Sequence, residues 1–505
     1  MDKVEIEKVF NSWSKVELKE GKSFDDLFKV GSVSLWWIYK RFIEMDMLAR
    51  FGKYSEILDK IDKKEKVKNN SKAVFLMRKL LDISEKTKIR LGRKKETSTE
   101  KMGVLFVTYA NHLQKDDKVY RLQNVINKVE EAGLRSLVVV ADPISKRSIK
   151  KLKSSSNTIY GYVDYKAKTE AKEKAIELSE EWKGLKTEIK HSMVLSNGFS
   201  LYSFFKNHLE FLFSKEFIYY NILYYEAMKN AIRENNVRVV LTTASIGIFE
   251  KAAMVAANDM NVACILAQHG IGTGFSKTDM RDFKKLNFAV FGEIDKDKLI
   301  NKGIEGDKIN VTGSISFDDI VKYKSETRNN EVKNVLFLTQ PFVEVKMWDE
   351  VKRNNFFNVI SHVAENFENV RIKLHPMEDI EVYKKRFDKY KNIEISQDNL
   401  YEEIKNSDIV LGVFSTSLSE SIILDKPVVI VDLFGQTEDK EFINKDIMLK
   451  IKTPENMKKY IEEYFNVYYS NQELREKREE YIRRFFYKAD GNASERVVDI
   501  INKVI

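Results

Sequence analysis

Val370-Arg371-Ile372-Lys373-Leu374-His375-Pro376 opens the stretch that decides the fold. Ser407-Asp408-Ile409-Val410-Leu411-Gly412-Val413-Phe414-Ser415-Thr416-Ser417-Leu418-Ser419-Glu420 carries it on. The apolar spacing predicts a strand over 370–374, a helix over 379–390, a strand over 393–396 and a short helix over 399–406. A strand over 409–413, a helix from about Ser417 and a strand over 427–431 complete the run. The 409–413 segment is apolar on both faces, as strands of a parallel sheet are. Strands alternating with helices predict a doubly wound parallel sheet.

In such sheets ligands bind beyond the carboxyl ends of the strands. His375 closes one strand there, and Pro376 prevents its continuation. Ser415, Thr416 and Ser417 close another and begin a helix. Their hydroxyls and the N–H groups of that first turn suit an anion such as phosphate. Glu420 lies about one turn further. A carboxylate there repels phosphate but accepts hydrogen bonds from neutral hydroxyls such as those of a ribose.

The Leu-His-Pro strand end, the Ser-Asp-(apolar)-Ser-Thr-Ser-x-x-Glu segment and the following Lys-Pro-Val-Val strand resemble the C-terminal half of GT-B glycosyltransferases. The likeness is to the group of CDP-glycerol glycerophosphotransferases, bacterial polysialyltransferases and surface-polysaccharide transferases. The same half is similar to non-hydrolysing UDP-GlcNAc 2-epimerases. The resemblance implies that His375 with Pro376 and the 415–417 helix start hold nucleotide phosphates, and that Glu420 binds the ribose. The usual epimerase signature Asp-Ser-Gly-Gly is here Phe414-Ser-Thr-Ser417, which weighs against that activity.

The chain has 505 residues, room for two to four domains. Apolar residues make up 43% and charged residues 32%, so a sizeable core is available. The single cysteine, Cys264, excludes a disulfide framework and a cysteine-based zinc site and fits a reducing, cytoplasmic setting. A net charge of +9 fits anionic partners, but 77 acids are interspersed with the bases, whereas nucleic-acid binders concentrate them. No apolar run reaches the roughly 18 residues of a membrane span, and the N-terminus lacks the apolar core of a signal peptide.

Residues 1–100 read as a helical extension and linker. Leu35, Trp36, Ile38, Tyr39, Phe42 and Ile43 recur at helical spacing. Trp36-Trp37 is either a core anchor or an interfacial membrane contact. The charged 86–101 segment, without apolar period, reads as the linker. The aromatic stretch from Phe211 to Tyr225 is a helix of the domain core or a membrane-facing patch, so peripheral contact with the inner face of the membrane stays open. Homo-oligomerisation also stays open.

Residues 101–320 read as a first Rossmann-like domain. Strands are predicted over 103–108, 136–141, 237–241, 263–267 and 288–291, with a helix over 119–132. The 263–267 strand ends in Gln268-His269-Gly270, followed by Gly272 and Gly274. This loop matches neither the dinucleotide fingerprint nor the P-loop. His269 at a strand end suits a general base, because the unperturbed imidazole titrates near neutrality; in the families resembled, a His-Gly at this place lies at the active site. Asp142, ending the 136–141 strand, is the reserve base. His112 follows the first strand. Val311-Thr312-Gly313-Ser314 with Asp318, and the tail Ala489-Asp-Gly-Asn-Ala-Ser-Glu-Arg496, are similar to segments of the same families. There the first domain closes at the former, and the final helix crosses back to it after the latter. The resemblance makes Gly313, Ser314 and Gly270 candidate nucleotide contacts.

Residues 321–485 read as the second Rossmann-like domain, its 335–339 strand ending in Gln340-Pro341, with Gln340 a further nucleotide contact. Residues 486–505 form the returning helix. Asp295-Lys-Asp297 is the chain's candidate metal-binding Asp-x-Asp, but its place at a helix start reads better as an N-terminal acid cluster. The set His269, His375 and 415–417 offers a metal-free alternative. The expected function is therefore transfer of a sugar or polyol phosphate from a CMP/CDP- or UDP-type donor, with no cofactor. The acceptor is a glycan or a lipid-linked glycan in surface-glycan synthesis. The alternatives are a UDP-sugar 2-epimerase and a non-catalytic binding partner of the same fold.

Overall fold

The structure is a computed structural model describing residues 3–40, 43, 71–92, 94, 101–113, 118–141, 157–271, 280, 283–324, 329–438 and 440–505. Two all-parallel sheets organise it. The first contains β1 (Gly103–Tyr109), β2 (Arg135–Ala141), β3 (Asn157–Thr158), β4 (Val237–Thr242), β5 (Ala263–Ala267), β6 (Leu286–Val290) and β7 (Ile309–Val311). Its spatial order is β7-β6-β5-β4-β1-β2-β3. The second contains β8 (Asn334–Leu338), β9 (Asn369–Lys373), β10 (Ile393–Ser396), β11 (Ile409–Gly412), β12 (Val428–Val431) and β13 (Leu449–Ile451), in the order β10-β9-β8-β11-β12-β13.

Each sheet thus follows the 3-2-1-4-5-6 order of a doubly wound fold, with its switch point between the first and fourth strands. Those switch points are the β1/β4 and β8/β11 crevices. The continuous apolar runs explain the strands: every residue of β5, β11 and β12 is buried, as helices cover both faces.

The first 40 residues are not a wholly helical extension. Helix α1 (Lys3–Ser12) is followed by two small antiparallel hairpins, Glu17–Lys19 with Lys22–Ser23 and Lys29–Val30 with Val33–Ser34. Residues 35–40 are then helical. Phe10, Trp13, Phe24, Phe28, Trp36 and Tyr39 join the core that packs one face of the first sheet. Buried Lys251 pins this segment, donating to the carbonyls of Trp37 (2.7 Å) and Ile38 (3.0 Å). Trp36 is therefore a core anchor, packed edge-on against Phe10 and Trp13. The expected linker is also revised, since helix α2 (Ser71–Arg90) occupies its first residues. The aromatic 211–225 stretch belongs mainly to helix α3 (Lys215–Glu234), whose Phe217, Tyr220, Tyr224 and Tyr225 are buried.

The tail closes the structure. Helix α7 (Ala493–Val504) lays Val497, Val498, Ile500 and Ile501 into the core of the first domain. Asp318 caps it from a distance, accepting from the N–H groups of Ala493 and Ser494 at 2.8 Å each. Arg496 donates to the carbonyl of Thr312 at 2.7 Å and pairs with Asp490. The two segments that carried the family likeness at the end of the first domain and in the tail are thus clasped together.

Candidate functional site

The carboxyl ends of both sheets carry polar side chains, at strands that flank the switch points or lie next to those that do. On the first domain, His269 follows β5 and is half-buried. Its Nδ1 lies 2.6 Å from the carbonyl oxygen of Thr243, just past β4. A carbonyl only accepts, so Nδ1 carries the ring proton and Nε2 of the neutral imidazole presents a lone pair. Burial pushes the His269 pKa below its usual 6.5, and the Arg121 charge adds to this, against the opposing Thr243 hydrogen bond. The preceding residue fixes the loop. Gln268 donates to Asp295 (2.8 Å) and to the carbonyl of Gly270 (3.1 Å), and accepts from the N–H of Phe291 (2.8 Å). On helix α5 (Glu293–Ile300) Asp295 is buried while Asp297 is exposed, so the two carboxylates do not share a face.

On the second domain, His375 follows β9, and Pro376 is exposed beside it. Here the ring is held the other way round. The N–H of Met377 donates to Nδ1 at 3.2 Å, so the proton of the neutral ring sits on Nε2. Burial lowers this pKa too, opposed by Glu378. The strand end is locked by buried Glu378, which accepts from the His375 backbone N–H at 2.8 Å and from the Thr339 and Tyr383 hydroxyls. Thr339, Gln340, Glu344, Arg353, Glu378 and Tyr383 line a small cavity next to it.

Helix α6 (Thr416–Ile423) starts after β11. Ser415 is its N-cap, its hydroxyl accepting from the N–H of Ser417 at 3.1 Å. Ser415 is therefore partly spent on the helix. Thr416 and Ser417 are half-buried, and their hydroxyls have no protein partner among the described residues. Glu420 is only 7% exposed. Burial raises its pKa to about 7, against the hydrogen bond from Tyr401 and the charge of Arg121.

Arg121 belongs to the cleft and was not singled out from the sequence. It sits after β1 with a left-handed backbone, φ +67°. Its guanidinium lies 4.9 Å from the centre of the Tyr120 ring. It acts electrostatically on His112 and His269 of the first domain and on Glu420 of the second. Those couplings put His269 of the first domain and Glu420 of the second within electrostatic reach of one side chain. Arg121 forms no salt bridge among the described residues. No motif announces it; its only sequence signal is its position shortly after a parallel strand.

A second unannounced group is the pair Tyr109 and Glu250. The Tyr109 hydroxyl donates to Glu250, which is buried on helix α4 (Ile248–Asp259), and burial raises the Glu250 pKa. A Cβ on Gly247 would fall 2.2 Å from both the Glu250 carboxylate and the Tyr109 hydroxyl, so glycine leaves room for the pair. The Tyr109 ring in turn meets His112 edge-on at 5.9 Å.

The remaining candidates are Gly270, which is next to His269; Gly313 and Ser314, which follow β7; and Asp142. Gly313 has φ +81°, and a Cβ there would stand 3.2 Å from the carbonyl of Phe486 and 3.4 Å from Arg496. That packing against the tail accounts for the glycine without a ligand. Ser314 is buried, with no partner for its hydroxyl among the described residues. Gly270 is half-buried beside His269. Asp142, Gly272 and Gly274 are outside the described residues.

Several solved structures are similar to the chain. The chain is 15% identical to UDP-GlcNAc 2-epimerase from Neisseria meningitidis bound to UDP-GlcNAc, over 80% of this chain and 100% of that one, with a TM-score of 0.47. It is 13% identical to the Methanocaldococcus jannaschii UDP-GlcNAc 2-epimerase, over 80% and 100%, with a TM-score of 0.45. A variant of the wall teichoic acid polymerase TagF is 11% identical, over 84% and 92%, with a TM-score of 0.44. No curated protein matches the chain. A family model does: that of alpha-2,8-polysialyltransferase matches residues 126–430, more than half of the chain and a span that includes His269, His375 and the 415–417 helix start. The chain belongs to the alpha-2,8-polysialyltransferase family.

Proposed function

We propose that the cleft transfers a glycosyl group from a nucleotide-activated donor to a hydroxyl of a growing surface glycan, with His269 as general base and His375 as phosphate ligand. The observation that supports this most is the opposed hydrogen bonding of the two imidazoles. His269 offers a lone pair at Nε2, and His375 offers an N–H at Nε2. Both pKa values lie below the usual 6.5, so both rings are neutral at pH 7.

In this reading the acceptor hydroxyl gives its proton to His269 Nε2 as its oxygen bonds to the anomeric carbon. The bond from that carbon to the donor phosphate oxygen breaks, and the phosphate leaves with the electron pair. His375 Nε2–H, the Thr416 and Ser417 hydroxyls and the start of α6 stabilise that departing charge. Arg121 suits an anionic group of the substrate beside the reacting carbon. Glu420 takes a ribose hydroxyl through a carboxylate oxygen. The protein supplies this stabilisation through its own donors, so a metal-independent reaction is part of the reading, and a CMP-, CDP- or UDP-type donor fits it.

The test is nucleotide titration and turnover of His269→Ala and His375→Ala, with the ligand-free melting temperature as control. His269→Ala is expected to keep nucleotide binding and lose about 10²–10⁴ in turnover. His375→Ala is expected to weaken nucleotide binding and slow turnover. The assignment is wrong if His269→Ala abolishes binding at unchanged stability, or if His375→Ala binds like the parent. Nucleotide binding with no turnover in any donor and acceptor mixture would mark a non-catalytic partner instead.

A further inference from the structure

Helix α2 packs against the first domain with one face only. Glu85 on that face is buried and accepts from the Tyr224 hydroxyl, while Arg78 pairs with Glu216. The opposite face carries large apolar side chains. Phe75 is 56% exposed, Leu76 56%, Met77 50%, Leu80 57% and Ile83 63%. At about 100° per residue these five span roughly 200° of the helix circumference. Leu76, Leu80 and Ile83 form its centre. Such a cluster on one exposed helix is not the scattered single exposure expected of an ordinary surface.

Charge narrows what covers it. Lys72, Lys79, Lys86 and Arg90 are exposed and project within roughly 40° of one another, between Phe75 and Ile83 on one flank of the stripe. The Lys79 ammonium lies 4.6 Å from the centre of the Phe75 ring. Lys86 is paired with Asp82 at 2.6 Å, and no acid of the helix lies on the exposed apolar arc itself. Two copies meeting through this face would bring like charges together. The surface is also convex, with apolar groups on both shoulders of one helix, so it offers no groove for a partner helix. Apolar side chains on one arc with lysines along one flank match an amphipathic helix lying in an anionic bilayer interface, where the lysine stems run along the apolar layer and the ammonium groups reach the headgroups.

We infer that α2 docks the protein in the plane of a bilayer containing anionic lipid, inserting Leu76, Leu80 and Ile83 and setting Lys72 and Lys79 against the headgroups. This surface is separate from the residues assigned to the cleft, and the inference does not rest on their roles.

The experiment is co-sedimentation of the full chain with phosphatidylcholine vesicles, with and without phosphatidylglycerol. The anionic vesicles should bind at least about tenfold better, and added salt should release the protein. Two variants separate the contributions: Leu76→Gln with Leu80→Gln and Ile83→Gln, and Lys72→Glu with Lys79→Glu. Each should lower binding to anionic vesicles about tenfold or more, with unchanged melting temperature because the altered residues are exposed. On the unaltered protein, amide exchange over 71–90 should slow when anionic vesicles are added. Equal binding to both vesicle types, no binding, or exchange protection elsewhere in the chain would overturn the inference. So would concentration-dependent dimerisation that the glutamine variant abolishes, which would assign the face to a second copy.

Discussion

Glu420→Gln should make the ligand-free protein more stable and the nucleotide complex weaker. Glu420 is buried on α6, and its pKa stands at about 7 instead of 4.5. The folded value is above the unfolded one, so ionising the group works against folding. The penalty is absent below about pH 4.5, grows between the two values and is complete above about pH 7. At about 1.36 kcal/mol per tenfold change in acidity, its full size is about 3 kcal/mol. Glutamine cannot ionise, and its carbonyl oxygen can still accept from Tyr401. At pH 8 the variant should therefore gain up to about 3 kcal/mol in the second domain, a rise of roughly 6–12 °C in its transition. At pH 4 the two proteins should match. Calorimetry at both pH values, without ligand, measures this. The same substitution removes the ionised acceptor proposed for the ribose. A hydrogen bond to a charged group contributes about 1.5–3 kcal/mol, so nucleotide affinity at pH 8 should fall about ten- to a hundredfold. A variant less stable than the parent at pH 8, or equally stabilised at pH 4 and pH 8, would refute the burial argument. Equal weakening of a 2′-deoxyribose analogue would refute the ribose contact.

Arg121 lowers the His269 pKa, so Arg121→Gln should move the acid limb of the turnover profile to higher pH; an unmoved limb would separate Arg121 from the base. Gly313→Ala introduces a Cβ at φ +81° against the carbonyl of Phe486. It should destabilise the protein by about 1–3 kcal/mol while leaving nucleotide affinity at saturating stability unchanged, as read by chemical denaturation and titration. Transfer should persist in EDTA; complete loss restored by magnesium or manganese would show that the proposed donors are insufficient without a metal.

The two sheets were legible because parallel strands covered on both faces appear as continuous apolar runs. Ala263–Ala267 and Ile393–Ser396 have the bounds that spacing predicts. The hairpins within residues 17–34 were not, since their strands are two or three residues long and give no alternation to read. Helix α2 was cut short in the reading because its last turns expose charge. The residues that make them helical are the inward ones, such as Glu85 and Ile89, and their burial depends on the distant α3.

Both histidines could be located from strand ends, but not their chemical difference. The hydrogen-bonding states rest on the Thr243 carbonyl, 26 residues before His269, and on the Met377 N–H, two residues after His375. A backbone carbonyl and a backbone N–H have no letter of their own in a sequence. Arg121 and Glu250 were hidden for a related reason. Each is an ordinary charged residue whose meaning comes from what folds against it: Glu250 from Tyr109, and Arg121 from two histidines on its own domain and a carboxylate on the other. The topology then orders these groups. Tyr109 ends β1, Arg121 lies in the connection from β1 to the next helix, and Thr243 follows β4; β1 and β4 flank the first switch point. Thr416 and Ser417 follow β11, which flanks the second. In the proposed function the base lies on the first domain and the phosphate donors on the second, at strand ends near those two crevices. The charge of Arg121 is felt on both domains: it adds to the burial that lowers the His269 pKa, and it opposes the burial that raises that of Glu420.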